Sequence, residues 1–165
     1  ARRGIRYRAL STIQPYNKQK ETLDRTLEQF ARFADRRTLT FLYATCHGDP
    51  RGLMIDEKIY SYARLIQQLD AIEGNKVLIL MACYSGSILD VIEEKSRSAN
   101  GYTVMTSAGA NERGINWAED EMHDIVSNNL ANAEHLTGIV LHEFKMKQLS
   151  ERPMPQIKGH FNVVV

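Results

Sequence analysis

The run Thr40-Phe41-Leu42-Tyr43-Ala44-Thr45-Cys46-His47-Gly48 has a counterpart in Val77-Leu78-Ile79-Leu80-Met81-Ala82-Cys83-Tyr84-Ser85-Gly86, and the two together point to an open sheet. Each is an apolar, β-rich run of the kind that forms a buried strand, and each stops at a reactive side chain close to glycine. In an open parallel sheet, neighbouring strands end along one carboxyl edge, which is where such sheets bind ligands. An imidazole and a thiol are therefore expected to meet at that edge.

A thiol near its free pKa of about 8.5 is mostly protonated at neutral pH, so a nucleophilic cysteine needs an imidazole or a helix N-terminus beside it. Both are present. His47 supplies the imidazole, and Cys83 opens a Tyr84-Ser85-Gly86-Ser87 turn into a helix-like stretch over residues 88–96. Taken singly, each residue has a plainer reading: Cys83 as an inert buried cysteine at a strand end, His47 as a turn residue. Taken together they form a complementary pair that packing alone does not require.

Outward from these strings, β-type and helix-type patterns alternate. Residues 7–13 read as a short strand, and residues 18–36 carry Leu23, Leu27, Phe30, Phe33 and Ala34 at helical spacing. Residues 38–46 are the next strand, and 52–55 an excursion or short hairpin. Residues 57–72 read as a helix with Ile59, Tyr62, Ala63, Ile66 and Leu69 on one face, ended by Gly74-Asn75. Strand 76–82, helix 88–96 and strand 102–108 follow. Short loops between such units predict an α/β fold, a mostly parallel sheet with helices on both faces. Residues 107–114 form a glycine-containing loop at a further strand's carboxyl end, placed to wall a pocket beside Cys83. Residues 119–133 and 138–149 read as helices and 159–165 as a strand.

The chain has 165 residues, 43% hydrophobic and 25% charged, which suits a single domain over 1–165 with a sizeable core. A net charge of +1 gives no electrostatic case for nucleic acid, and the Arg2, Arg3, Arg6 and Arg8 cluster reads as a solvated terminus. No apolar run approaches the roughly 20 residues that span a bilayer, and no signal-peptide pattern is read at the start. Two cysteines are too few for a disulfide framework, so the default compartment is reducing and cytoplasmic, with secretion the alternative if a signal was removed.

The residues resemble those of the caspase-like (clan CD) cysteine peptidases, which include caspases, metacaspases, legumains and bacterial relatives. The resemblance rests on the strand closing in His47-Gly48, the strand closing in Ala82-Cys83 before Tyr84-Ser85-Gly86, the strand ending Thr106-Ser107-Ala108, and the segment Pro155-Gln156-Ile157-Lys158-Gly159. It runs from about Leu10 to the C-terminus. The histidine-to-cysteine separation, 83 minus 47 or 36, is similar to that of the compact bacterial and legumain-like members.

The resemblance implies a caspase-like α/β/α sandwich. Family members carry more strand–helix structure ahead of the His-Gly strand than the about 37 residues found before Thr38, so one N-terminal unit is unaccounted for, or a partner chain or dimer completes the sheet. It also implies that Cys83 attacks a peptide carbonyl, that His47 protonates the departing amine, and that the N–H groups of Gly48 and Cys83 hold the oxyanion. A protein or peptide is then the substrate, in a regulated or self-processing protease that needs no cofactor or metal. Met81, Ser107, Ala108 and Glu112 are the substrate-binding candidates. Several relatives specific for basic residues carry an acid where Met81 stands, so an uncharged substrate residue is expected. Asp49 and Asp120 are the other loop acids weighed for basic specificity.

Other constellations are poorer. His142-Glu143 begins like a zinc-protease helix, but position 146 is methionine. His123, His135 and His160 lack partners at ligand spacing. Ser85 and Ser87 flank Gly86 without the G-x-S-x-G pattern. Cys46 alternates away from His47 and reads as packing. Two non-protease readings stand beside the favoured one: a catalytically silent caspase-like module that binds or scaffolds, and a nucleotide- or flavin-binding domain, disfavoured because no glycine-rich phosphate loop follows an early strand.

Overall fold

A computed structural model of the chain describes residues 16–55, 57–96, 101–114 and 156–159. In chain order the elements are α1 (Tyr16–Phe33), β1 (Leu39–Thr45), β2 (His47–Asp49), β3 (Gly52–Ile55), β4 (Lys58–Ser61), α2 (Tyr62–Asp70), β5 (Asn75–Met81), α3 (Ser87–Lys95), β6 (Tyr102–Thr106) and β7 (Gln156–Gly159). The architecture is α/β.

The main sheet runs in the order β1-β5-β6-β7. Strands β1, β5 and β6 are parallel, and β7 pairs antiparallel with β6. Among the described strands β1 has one neighbour, β5. Residues Lys76 to Met81 are all buried, which is why β5 reads as an unbroken apolar run after its first residues: a strand covered on both faces has no solvent side to alternate toward.

One face of the sheet presents Leu42, Ala44, Leu78, Leu80 and Val104 to a core shared with Leu23 and Leu27 of α1, Leu65, Ile66 and Leu69 of α2, and Ile88 and Ile92 of α3. All three described helices pack on this face. Val77, Ile79, Met81 and Met105 alternate to the other face and are buried as well. The strand read at 7–13 and the helices read at 119–133 and 138–149 lie outside the described residues.

The structure corrects the reading of 57–72 as one helix. Its first part is β4, which pairs antiparallel with β3 across a turn where Glu57 adopts φ 64°, so Ile59 faces Met54 in a ladder rather than lying on a helical face. Apolar residues in a short strand joined directly to a helix mimic helical spacing, and only pairing with a distant strand separates the two. Helix α2 starts where Ser61 Oγ accepts the Arg64 N–H at 3.3 Å; its buried Tyr62, Ile66 and Leu69 keep the predicted face, and Leu65 joins them. The 52–55 excursion is the middle strand of a small antiparallel sheet, β2-β3-β4. The described part of the last strand, β7, covers Gln156–Gly159, and of the strand read at 159–165 all but Gly159 lies outside the described residues.

Helices α1 and α2 are clamped by a polar cluster around buried Asp24. Its carboxylate accepts from Tyr60 Oη at 2.6 Å, Arg64 at 2.7 and 3.2 Å, and Lys20 Nζ at 2.8 Å. Burial by itself raises a carboxyl pKa, but these donors outweigh it and hold Asp24 down at about 2. Among the described residues no helix is long and apolar enough to cross a membrane.

Candidate functional site

The β1/β5 ladder pairs Leu39 with Asn75 and Thr45 with Met81, a constant offset of 36. Cys83 and His47 differ by the same number. Each residue therefore lies two positions past the last ladder pair, just beyond the carboxyl ends of two adjacent parallel strands. The Cys46 N–H still donates to the Met81 carbonyl at 3.3 Å, after which the first chain swings into β2.

Gly48 makes the closest approach. A Cβ built on it would stand 1.9 Å from the Cys83 carbonyl oxygen, 2.9 Å from its carbonyl carbon and 3.0 Å from its nitrogen. Only glycine lets the His-Gly strand rest on the Cys83 backbone in this way. His47 is exposed and Cys83 half-buried, so a solvent-borne group has access to both.

Beyond Cys83 the backbone turns sharply. Tyr84 adopts φ 56°, in the left-handed region, and the Ser85 N–H returns to the Ala82 carbonyl at 3.3 Å. The N–H groups of Tyr84, Ser85, Gly86, Ser87 and Ile88 each have a backbone acceptor. Among the described residues the Cys83 N–H has none. Among the described residues the turn thus satisfies its neighbours and leaves that one donor without an acceptor, the arrangement an anion-binding position requires. The thiol donates to the Gly114 carbonyl at 3.8 Å.

The pocket residues read from sequence gather around this turn. Met81, Ser107 and Ala108 are all buried. Ser107 Oγ donates to the Ala82 carbonyl at 3.4 Å, and the Ala108 carbonyl accepts from Gly86 N–H at 3.0 Å and from Ser85 Oγ at 3.5 Å. Glu112 is exposed, and its carboxylate is occupied by the Gly109 N–H at 3.0 Å. Asp49 is occupied too: Arg51 donates to it from Nε at 2.8 Å, Nη2 at 3.3 Å and its backbone N–H at 2.9 Å, and those bonds hold its carboxyl below the usual range. Asp120, His123, His135, His142 and His160 lie outside the described residues.

Two features escaped the sequence. Tyr62, read as one more apolar position, is fully buried, and its hydroxyl has no partner among the described residues. Burial raises its pKa, and negative charge at Cys46, Asp49 or Cys83 acts in the same direction, so it stays a neutral donor. Arg113 is the second. Its Nε donates to Tyr84 Oη at 3.3 Å, bringing a cation over the residue after Cys83. No local pattern announces either, since each depends on segments distant in sequence. Cys46 packs against the core cluster, as its alternation from His47 predicts.

Comparison with protein-family models finds none that matches the chain, and comparison with curated proteins likewise finds no match.

Proposed function

We propose that the chain is a caspase-like cysteine endopeptidase, on an α/β/α sandwich of that type, with Cys83 as nucleophile and His47 as its acid–base partner. The observation that carries the reading is the shared offset of 36: the ladder brings the two strand ends into register, and Gly48 rests on the Cys83 backbone. Two separate apolar strands terminate in complementary reactive groups on one edge.

In the proposed reaction, His47 takes the thiol proton and Sγ bonds to the substrate carbonyl carbon. The oxygen of the resulting tetrahedral species accepts from the Cys83 N–H and from Gly48. The C–N bond breaks as His47 returns the proton to the amine. Water then adds to the thioester, again deprotonated by His47, and the acid departs as the thiol re-forms. The substrate residue before the cleaved bond is uncharged. Met81 is apolar beside the turn, and the two nearby acids are engaged by Arg51 and by Gly109, so a buried substrate cation would go unpaired.

A peptidyl acyloxymethyl ketone with an aliphatic residue at its reactive end tests the reading. Cys83 should be labelled stoichiometrically, and Cys83→Ala should abolish both labelling and peptide cleavage while the circular dichroism spectrum is kept. Labelling of Cys46 in preference, or full activity in Cys83→Ala, sinks the reading. A folded chain that neither labels nor cleaves would be a binding module instead.

A further inference from the structure

The turn after Cys83 takes its shape from the loop after β6. The Gly86 N–H donates to the Ala108 carbonyl at 3.0 Å, Ser87 Oγ to the Ala110 carbonyl at 3.2 Å, and the Tyr84 N–H to the Glu112 carbonyl at 2.8 Å. The fit is close. A Cβ on Gly86 would lie 2.6 Å from the Ala110 nitrogen. Tyr84 is the critical member of this turn, because a side-chain-bearing residue at φ 56° keeps that conformation only where its surroundings hold it.

The loop that does the holding is not part of a sheet ladder, so something else must fix it. Glu112 does so from both ends. Its Oε2 accepts the Gly109 N–H at 3.0 Å, and its own N–H donates to the Gly109 carbonyl at 3.3 Å, closing residues 109–112 reciprocally. The carbonyl of the same residue then receives the Tyr84 N–H. Next along the chain, Arg113 donates to the Tyr84 hydroxyl and the Gly114 carbonyl accepts from the Cys83 thiol. Three consecutive residues thus address Cys83 and Tyr84, and the Glu112 carboxylate ties their turn shut.

We propose that Glu112 is a positioning residue for the Cys83 thiol, acting through Tyr84: its carboxylate closes the 109–112 turn, and that turn holds the left-handed residue after Cys83. The inference rests on the reading of Cys83 as a nucleophile. Glu112 acts as a hydrogen-bond acceptor and not as a counter-charge for substrate. Glutamine keeps a carbonyl oxygen at the same reach and should replace it; alanine should not.

The test uses the full chain with Glu112→Ala, Glu112→Gln and the double variant Glu112→Ala/Tyr84→Gly. Alkylation by iodoacetamide is followed at Cys83 by peptide mass mapping, and kcat and KM are measured on a peptide library. Glu112→Ala should slow Cys83 alkylation and kcat by about tenfold with KM and residue preference unchanged. Glu112→Gln should stay within about twofold of the wild type. Tyr84→Gly should restore most of the loss, since glycine adopts the left-handed conformation without being held.

Unchanged alkylation and kcat in Glu112→Ala overturn the inference. So does a Glu112→Gln variant as impaired as Glu112→Ala with KM raised for basic peptides, which would make Glu112 a substrate contact. A Glu112→Ala chain that fails to fold and is not rescued by Tyr84→Gly overturns it as well. Alkylation needs no peptide cleavage, which keeps the two claims separable: slowed alkylation in a chain whose wild type cleaves nothing leaves the positioning role and removes the protease.

Discussion

Gly48 and Cys83 meet backbone to backbone, with room for a hydrogen on Gly48 and for nothing larger: a Cβ there would stand 1.9 Å from the Cys83 carbonyl oxygen. The contact joins the small sheet to the main one at the carboxyl edge. Gly48→Ala must push the two segments apart, at a cost of roughly 1–3 kcal/mol in stability. Displacement by about 1 Å costs on the order of 10²-fold in rate when reacting groups must be aligned. Thermal denaturation and peptide hydrolysis on the same preparation should show both losses; an alanine variant with wild-type values for each would mean that the contact is loose.

His47→Ala should lower turnover by about 10²–10⁴-fold, the range of a single general acid–base group, and leave KM almost unchanged. Steady-state kinetics on a peptide substrate decides it. Because His47 is exposed at the start of β2, its loss should leave the melting temperature near that of the wild type. Near-normal turnover would move proton transfer to another group.

Tyr62→Phe should fold with a melting temperature equal to or above that of the wild type. Its ring fills a fully buried site, while its hydroxyl has no partner among the described residues, so removing the oxygen deletes a desolvated polar atom and keeps the shape. A clear drop in melting temperature would reveal a hydrogen bond to that hydroxyl.

Asp24 makes stability pH-dependent in the acid range. Its folded pKa, about 2, lies below the ordinary value of 3.8, so its contribution is fully present above the unfolded value and is lost as pH falls from about 4 toward 2. The shift corresponds to roughly 2 kcal/mol. Urea unfolding of wild type and Asp24→Asn should therefore differ most at pH 6 and converge near pH 2. A gap that stayed constant across that range would assign the clamp to packing of Tyr60 and Arg64 rather than to charge.

Much of this arrangement is legible in the residues alone. The apolar run of β5 is a buried strand because nothing in it alternates, and the carboxyl edge it shares with the half-buried β1 follows from parallel pairing. The placement of His47 and Cys83 two residues past the last ladder pair follows from that same logic. The strand at 58–61 was not legible as such: Lys58-Ile59-Tyr60-Ser61 runs straight into α2, and its apolar spacing satisfies a helix as well as a strand until β3 supplies the ladder.

Periodicity and strand polarity are local properties, so the residues alone were enough for the alternation of strands and helices, the burial of β5 and the placement of His47 and Cys83 at one edge. Tertiary structure decided how the edge is built. The Gly48 contact, the Cys83 N–H left without an acceptor among the described residues, the left-handed Tyr84 and the closure by Glu112 all depend on which backbone atoms meet across segments far apart in sequence. Hydrogen-bond geometry between such segments is fixed by the packing of the whole chain and leaves no periodic trace in any one stretch of it.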